Sequence, residues 1–354
     1  MLKKMNRTTV KNYATYLLVI IAFVVLTAMK SGGMMKASMA GMLVPICAYI
    51  VMALSLNLTV GVMGELSLGH AGFMSIGAFF GTTACMALNT SIANNGLRLA
   101  IGIAIGSLAG ALFGFLIGIP VLRLKGDYLA IVTLAFGEII KSVFSNIYLG
   151  IKDGSLTMCV LENKLDLGTD DRIIIEGAMG IRNIQKISNF TAGFILIMIC
   201  LVVIFHLVGS RTGRAIQALR DNRIAAESVG IPAFKYKITA FTISAAMAGA
   251  AGALFGNNYS SLVASKFNID TSILVLVFVV LGGQGNMLGS IIAAAALVIL
   301  PEALRSVADY RMLAYAIVLI LVMLITNNPT LKSHMEKITK KFKKNSPEGG
   351  AANE

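Results

Sequence analysis

Charged residues are scarce in this chain of 354 residues: they make up 13% of it, against 56% hydrophobic residues, with a mean hydropathy of +0.80. Soluble globular domains carry about 25% charged residues, so this scarcity excludes an ordinary soluble fold. A membrane-spanning helix needs about 20 mostly apolar residues, which leaves room for about eight to ten spans with short connections. We expect an all-α, polytopic transmembrane helical bundle without a large soluble domain.

Several chemical motifs are also missing. The chain has no GxxxxGK(S/T) sequence, so it has no phosphate-binding loop of its own and cannot hydrolyse ATP alone. Its four cysteines show no CxxC spacing, which argues against a zinc site or a disulfide framework. No Ser/His/Asp, paired-carboxylate or His/Cys arrangement stands out. We therefore expect a chain that is not an enzyme and that holds no metal or cofactor.

The formal net charge of +13 is concentrated in the N-terminal end, residues 123–125, a basic loop at residues 210–237 and the C-terminal tail. Lysine and arginine in short connections mark the cytoplasmic side of membrane proteins. This distribution therefore indicates a membrane orientation, with both termini and the basic loop on one side, and it does not require a nucleic-acid partner. The lysine-rich tail at 331–354 is typical of a disordered segment.

The apolar runs predict ten spans within a transmembrane domain at residues 1–330. They lie at 14–29, 39–62, 66–89, 97–122, 127–150, 190–209, 236–257, 272–284, 288–307 and 311–327. The longest polar connection, residues 151–189, falls on the side opposite the basic loop. Its five basic and six acidic residues give it a net charge of −1. It is either a functional segment, contacting a soluble partner or covering an entrance, or a solvated connector.

Two apolar segments are interrupted by glycine and polar residues, at 64–81 and at 281–290. Such interruptions predict broken or re-entrant helices, which are tolerated at membrane depth where protein covers the loosened backbone. Their placement in the two halves of the chain favours an internal inverted repeat around a substrate pathway. Tight helix packing through small residues is the alternative.

Five polar residues in these and neighbouring segments are candidates for lining a pathway: Ser67, His70, Glu138, Gln284 and Asn286. Half-helix N-termini near Ser67 and Asn286 would suit a passing carboxylate. For His70, support of the packing is the favoured role. Glu138 lies mid-span with Lys141 three residues later, and a structural ion pair between them is favoured over substrate contact.

The basic loop has a helical pattern that is imperfect for one straight helix. A single helix over residues 213–229 places Ala215, Ile216, Leu219, Ala226 and Val229 on one side, but Asn222 and Arg223 fall in the same stripe. We therefore expect two short helices. A membrane-surface helix would explain the arginines, whereas the small Ala225 and Ala226 beside Gly230 favour docking to another protein.

Four ordered blocks of the chain, at residues 57–79, 123–146, 210–256 and 280–305, resemble the permease subunits of branched-chain amino-acid ABC importers of the Liv type, and the M-type subunit more than the shorter H-type. The outer loop around 151–175 departs from that family because it lacks a glycine-rich run. The resemblance implies a multi-pass protein of the bacterial plasma (inner) membrane, with cytoplasmic termini.

The resemblance also implies partners: a second permease subunit, H-like or a second copy, two cytoplasmic ATPase subunits that bind the ATP, an extracytoplasmic amino-acid-binding protein and the surrounding membrane lipid, with no nucleic acid. The basic loop would couple the permease to the ATPase. The coupling residues it implies are Arg214, Arg220, Asp221, Ala225, Ala226 and Gly230. The expected function is translocation of branched-chain or other hydrophobic amino acids by alternating access.

Two alternative functions remain. Related permeases carry urea or short amides, so the substrate class is open. A secondary transporter driven by an ion gradient, with Glu138 and His70 as ion sites, would explain the broken helices equally well but would give the basic loop no purpose.

Overall fold

The computed structural model of the protein describes residues 7–89, 91–124, 128–152, 155–160, 172–304, 316, 317 and 320. Within these residues the fold is an all-α helical bundle, as predicted. Its helices are α1 Arg7–Ser31, α2 Ala37–Asn57, α3 His70–Ala87, α4 Asn95–Val121, α5 Tyr128–Asn146, α6 Phe190–Gly209, α7 Arg211–Asp221, α8 Arg223–Ser228, α9 Ala233–Gly256, α10 Ile269–Gly282 and α11 Met287–Ala303.

The chain divides into two compact units, Met1–Ala296 and Leu297–Glu354. In the second unit the described residues are the end of α11 with the turn after it, and residues 316, 317 and 320. The predicted tail at 331–354 lies outside the described residues, and so does most of the predicted span at 311–327.

Seven helices in the described part of the chain are long and apolar enough to cross a membrane, so the predicted count of ten is not confirmed. The expected span at 288–307 corresponds to the shorter apolar helix α11. The expected span at 66–89 corresponds to α3, which begins only at His70 and is not among the seven.

Both predicted interruptions are real breaks. After α2 the chain continues as a short π-helix, Leu58–Met63, and then leaves the helical conformation from Gly64 to Gly69 before α3 begins. Between α10 and α11, the chain turns through residues 283–286. Positive φ angles at Gly64, Gly283 and Gly285 explain why glycine is needed at these turns.

The centre of the bundle is a seam of small residues where α3, α4 and α9 meet. Every fourth residue of one face of α4 is a buried glycine, and these are Gly102, Gly106, Gly110, Gly114 and Gly118. The middle three lie against Ala245, Gly249 and Ala253 of α9, which are also spaced by four, whereas Gly102 lies against Gly81 and Cys85 of α3 and Gly118 against Ile238 and Phe241 of α9. Residues four apart share one helix face, so the two backbones approach closely along the whole contact.

The glycines of segment 64–81 serve both predicted purposes. Gly64 lies in the break, whereas Gly77 and Gly81 lie in the seam, against Gly249 and Ala253 of α9. The two interpretations of this segment therefore apply to different glycines.

Helix α3 begins in the middle of the bundle. The imidazole Nε2 of His70, its first residue, lies 2.9 Å from the hydroxyl of Ser244 in α9. Ser244 is 11 residues from the start of α9, or about 16 Å at 1.5 Å per residue. The chain thus returns from the exposed Gly64 and Leu66 to the buried Ser67 and His70, as a re-entrant segment does.

The connection after α5 contains a small sheet that the sequence analysis did not predict. Strands β1 Ile147–Lys152, β2 Ser155–Val160 and β3 Arg172–Glu176 pair antiparallel in the order β2-β1-β3. The following segment pairs with the chain after α9 through Ile181 and Leu262. The part of the connection that the structure describes is therefore ordered against the bundle. We call this end of the bundle the sheet end, and the end that carries α7 and α8 the loop end.

The seam predicts an asymmetric response to one added methyl group. A Cβ atom at Gly77 would overlap the carbonyl oxygen of Gly249, whereas one at Gly41 of α2 would meet nothing within 4 Å. We expect Gly77→Ala to lower the free energy of unfolding by about 1–3 kcal/mol, as overpacking does, and Gly41→Ala to leave it unchanged or slightly raised. Thermal unfolding in detergent measures both; equal melting temperatures would contradict the close contact.

Candidate functional site

The basic loop forms two short helices, as predicted. Ser210 is the N-cap of α7, and its hydroxyl accepts a hydrogen bond from the Gly213 amide at 3.1 Å. Asn222 separates the helices and caps α8, with its side-chain oxygen accepting from the Ala225 amide at 3.1 Å. Gly230, with φ +86°, follows α8. Asn222, the polar residue that interrupts the apolar stripe of a single helix, is thus the N-cap of the second helix.

The inner face of the loop is built from apolar residues of both helices. Ala215, Ile216 and Leu219 of α7 are buried, and Ala226 of α8, 5% exposed, packs in a cluster with Leu219 and Ala233. Of the two small residues predicted for docking, Ala226 therefore supports the loop from inside.

Three apolar residues of α8 and its C-cap are exposed in this chain. Ile224 is 82% exposed, Val229 is 75% exposed, and Ala225 between them is also exposed. We call these three residues the α8 patch. A single helix would place Val229 on the same side as Leu219 and Ala226. In the structure Leu219 and Ala226 are buried and Val229 is exposed, because the break at Asn222 turns α8 relative to α7.

The charged residues of the loop have different partners. The Arg214 guanidinium donates to the Gly209 carbonyl at 3.1 Å, where a cation is favourable at the carboxyl end of α6. Arg223 pairs with Glu227 at 2.9 Å on the surface. Arg220 pairs with Asp221 at 2.8 Å.

Arg220 also reaches into the bundle. Its Nη1 donates to the Gly61 carbonyl of the π-helix at 2.9 Å, and its aliphatic stem covers Gly64, where a Cβ atom would lie 2.5 Å from Cγ of Arg220. The loop is therefore fastened directly to the first helix break.

The first break is in turn fastened to the second by Asn57, a buried residue that the sequence analysis did not single out. Its side-chain oxygen accepts from the Gly285 amide at 2.7 Å, and its side-chain nitrogen donates to the Ser290 hydroxyl at 2.8 Å. Gly61 and Gly285 lie so close that a Cβ atom on Gly61 would overlap the Gly285 amide. The sequence signal for its role was an asparagine inside the expected span at 39–62, because a polar residue within a span is costly and needs a partner or a function.

Buried polar side chains surround the start of α3. His70, 1% exposed, contacts the Ser67 hydroxyl at 3.3 Å through Nδ1 and the Ser244 hydroxyl at 2.9 Å through Nε2. Thr59 donates to the Ser244 hydroxyl at 2.8 Å, and that hydroxyl donates to the Ser55 carbonyl at 2.6 Å. This network supports the packing role that the sequence favoured for His70.

The backbone of the break also finds partners within the protein. The Leu68 amide donates to Thr133 of α5, and the Ala71 amide donates to Ser272 of α10, each at 3.1 Å. Glu65 in the same break forms an ion pair with Lys237 of α9, and both side chains are largely buried. The backbone amides of Leu68 and Ala71, at the start of α3, are therefore already hydrogen-bonded to side chains in this conformation.

The five pathway candidates do not form one site. Ser67 and His70 lie in the buried network. Glu138 forms the predicted pair with Lys141, at 2.8 Å, and both side chains are about one third exposed on α5. Gln284 and Asn286 are exposed at the second break. Their roles in transport stay predictions.

Comparison with known proteins places these features in a family. Residues 38–326 match the family described as "Branched-chain amino acid transport system / permease component". The chain is 36% identical over 287 residues to the high-affinity branched-chain amino acid transport system permease protein LivM of Escherichia coli (strain K12), and 35% identical over 287 residues to LivM of Salmonella typhimurium. Each match covers 78% of this chain and 66% of the relative, so the chain spans slightly less than two thirds of their length. No solved structure matches.

The buried Glu65 and Lys237 pair predicts a large effect when one partner is removed. Lys237→Met leaves the Glu65 carboxylate buried without a cation, and we expect a loss of about 3–5 kcal/mol in the free energy of unfolding. Replacing both partners, Glu65→Gln with Lys237→Met, should recover most of the loss because no uncompensated charge remains.

Thermal unfolding of the single and double variants in detergent measures this recovery. The exposed pair provides the matched control: Arg223→Met should cost less than about 1 kcal/mol. A double variant that is no more stable than Lys237→Met would contradict the assignment.

Proposed function

Because the chain belongs to the family of branched-chain amino acid transport system permease components, we propose that it is the membrane-spanning permease subunit of an ABC importer for branched-chain or other hydrophobic amino acids. The observation that carries this proposal is the α8 patch, an exposed apolar surface on a short helix outside the spans. Two ATPase subunits would supply the ATP hydrolysis.

The α8 patch is the proposed docking surface for one ATPase subunit. Ile224, Ala225 and Val229 are exposed next to the Arg223 and Glu227 pair. Exposed apolar residues rimmed by charge are typical of protein-protein contact surfaces. The small side chain of Ala225 between two larger ones would let a partner approach the α8 backbone closely.

The orientation we propose follows from the charges. The loop end carries the arginines of the basic loop and therefore faces the cytoplasm of a bacterial inner membrane, with both termini. The sheet end then faces outside. Strands β1 to β3 and the segment that pairs with Leu262 would form the surface that receives an amino-acid-binding protein.

The translocation route is proposed along the face of α5 that carries Glu138 and Lys141. This pair is about one third exposed in the middle of a candidate span. Charged groups in spans rarely face lipid, so this face would meet the second permease subunit, H-like or a second copy. Movement of the basic loop on ATP binding would open the route alternately to the two sides.

An ion-gradient mechanism receives less support from the same contacts. Its two ion sites would be His70, which is enclosed by Ser67 and Ser244, and Glu138, which is already paired with Lys141. Urea or a short amide as substrate would leave the mechanism unchanged. The source of energy and the substrate can both be read in one assay.

We predict ATP-dependent uptake of labelled leucine by the chain reconstituted in liposomes with the second permease subunit, the ATPase subunits and an amino-acid-binding protein. Ala225→Trp should lower uptake and ATPase binding at least tenfold, because the bulky ring would hold the partner away from α8. Ala225→Ser, which keeps the side chain small, is the matched control and should retain both.

Three outcomes would count against the proposal. Normal uptake by Ala225→Trp would remove the docking role of α8. Uptake that collapses with an ion gradient and ignores ATP would establish the secondary transporter. Uptake of urea or acetamide in place of leucine would correct the substrate class.

A further inference from the structure

We propose that Asn57 and the π-helix Leu58–Met63 form a joint that carries movement of the basic loop to the break between α10 and α11. The proposal rests on the proposed function of the basic loop as the ATPase contact. It assigns to Asn57 and Arg220 a positioning role: they set where the break lies and do not touch the substrate.

The first link of the joint is Arg220. Two of its guanidinium nitrogens hold Asp221 within the loop, at 3.0 and 2.8 Å, while Nη1 donates to the Gly61 carbonyl at 2.9 Å. A planar guanidinium with several donors in fixed directions keeps such contacts in one geometry. Displacement of α7 would therefore displace the π-helix.

The second link is Asn57, one residue before the π-helix. Its side chain is fully buried and uses both ends, accepting from the Gly285 amide at 2.7 Å and donating to the Ser290 hydroxyl at 2.8 Å. One side chain is thus bonded both to the turn that follows α10 and to the first turn of α11. A buried amide that loses these partners would leave polar groups unsatisfied, so the contact resists separation.

Direct backbone contact closes the joint. Gly61, whose carbonyl receives Arg220, lies against Gly285, and there is no room for a Cβ atom between them. Movement of the π-helix toward this turn would therefore meet backbone atoms, which have no rotamer to change. The π-helix itself is an irregular hydrogen-bonding segment of the kind that often occurs at functional sites.

The joint has a direct consequence for coupling. The α8 patch lies on the outer face of the loop, and neither Asn57 nor Gly285 belongs to it. Breaking the joint should therefore leave ATPase binding and ATP hydrolysis intact while separating them from transport. A purely structural role would instead lower assembly, hydrolysis and transport together.

The test measures ATP hydrolysis and leucine uptake in the same reconstituted complex. Asn57→Ala should keep the ATPase subunits bound and hydrolysis within about twofold of wild type, while the uptake per ATP falls at least tenfold. Ser290→Ala, which removes only one of the two bonds, should give a smaller fall. Arg220→Gln should likewise lower the uptake per ATP hydrolysed, and Arg220→Lys, which still offers a donor, should recover part of it.

Ser75→Ala is the control, because Ser75 is a fully buried serine of α3 whose hydroxyl has no hydrogen-bond partner among the described residues. Its ratio of uptake to hydrolysis should match wild type. An unchanged ratio in Asn57→Ala and Ser290→Ala would overturn the joint while leaving the proposed function standing. A wild-type complex without ATP-driven uptake would overturn both.

Discussion

Backbone groups released where a helix breaks inside a membrane must find partners within the protein, since lipid offers none. The structure meets this requirement with side chains from distant segments. The Asn57 side chain accepts a hydrogen bond from the Gly285 amide, and Thr133 accepts one from the Leu68 amide. Arg220 donates a hydrogen bond to the Gly61 carbonyl. The same contacts that make the breaks possible therefore connect the breaks to each other and to the basic loop, and the proposed coupling is a consequence of this constraint.

The small-residue seam makes that arrangement rigid. Glycines of α3 and α4 let their backbones lie directly against α9, whose first residues, from Ala233, belong to the basic loop. The α3 start is then held by His70 on Ser244, about halfway along α9. A bundle packed through backbone contacts deforms little, so movement of the loop would be confined to the less regular π-helix and the two breaks.

The features predicted from the sequence are those whose signal is local. Glycine and polar residues within apolar runs revealed both breaks, and Asn222 in the stripe of the basic loop revealed two helices. The features missed depend on residues far apart in the chain. Asn57 and Gly285 are separated by 228 positions, and nothing in a single sequence pairs them. The exposure of Val229 depends likewise on the angle between α7 and α8. The β-sheet was missed because β1, Ile147–Lys152, continues the apolar run of the span predicted at 127–150, while β2 and β3 lie in the polar connection after it.

The joint requires that the basic loop and the second break move as one unit. Two pairs of spin labels in the reconstituted complex, in a Cys159→Ser background, would measure this. One pair joins Ala218, exposed on α7 outside the α8 patch, to the exposed Gln284, and the other joins Gln284 to Ala93, which is exposed in the connection between α3 and α4. We predict that the distance from 218 to 284 is the same with and without bound ATP, while the distance from 284 to 93 changes. A distance from 218 to 284 that changes with ATP while the distance from 284 to 93 stays fixed would contradict the joint.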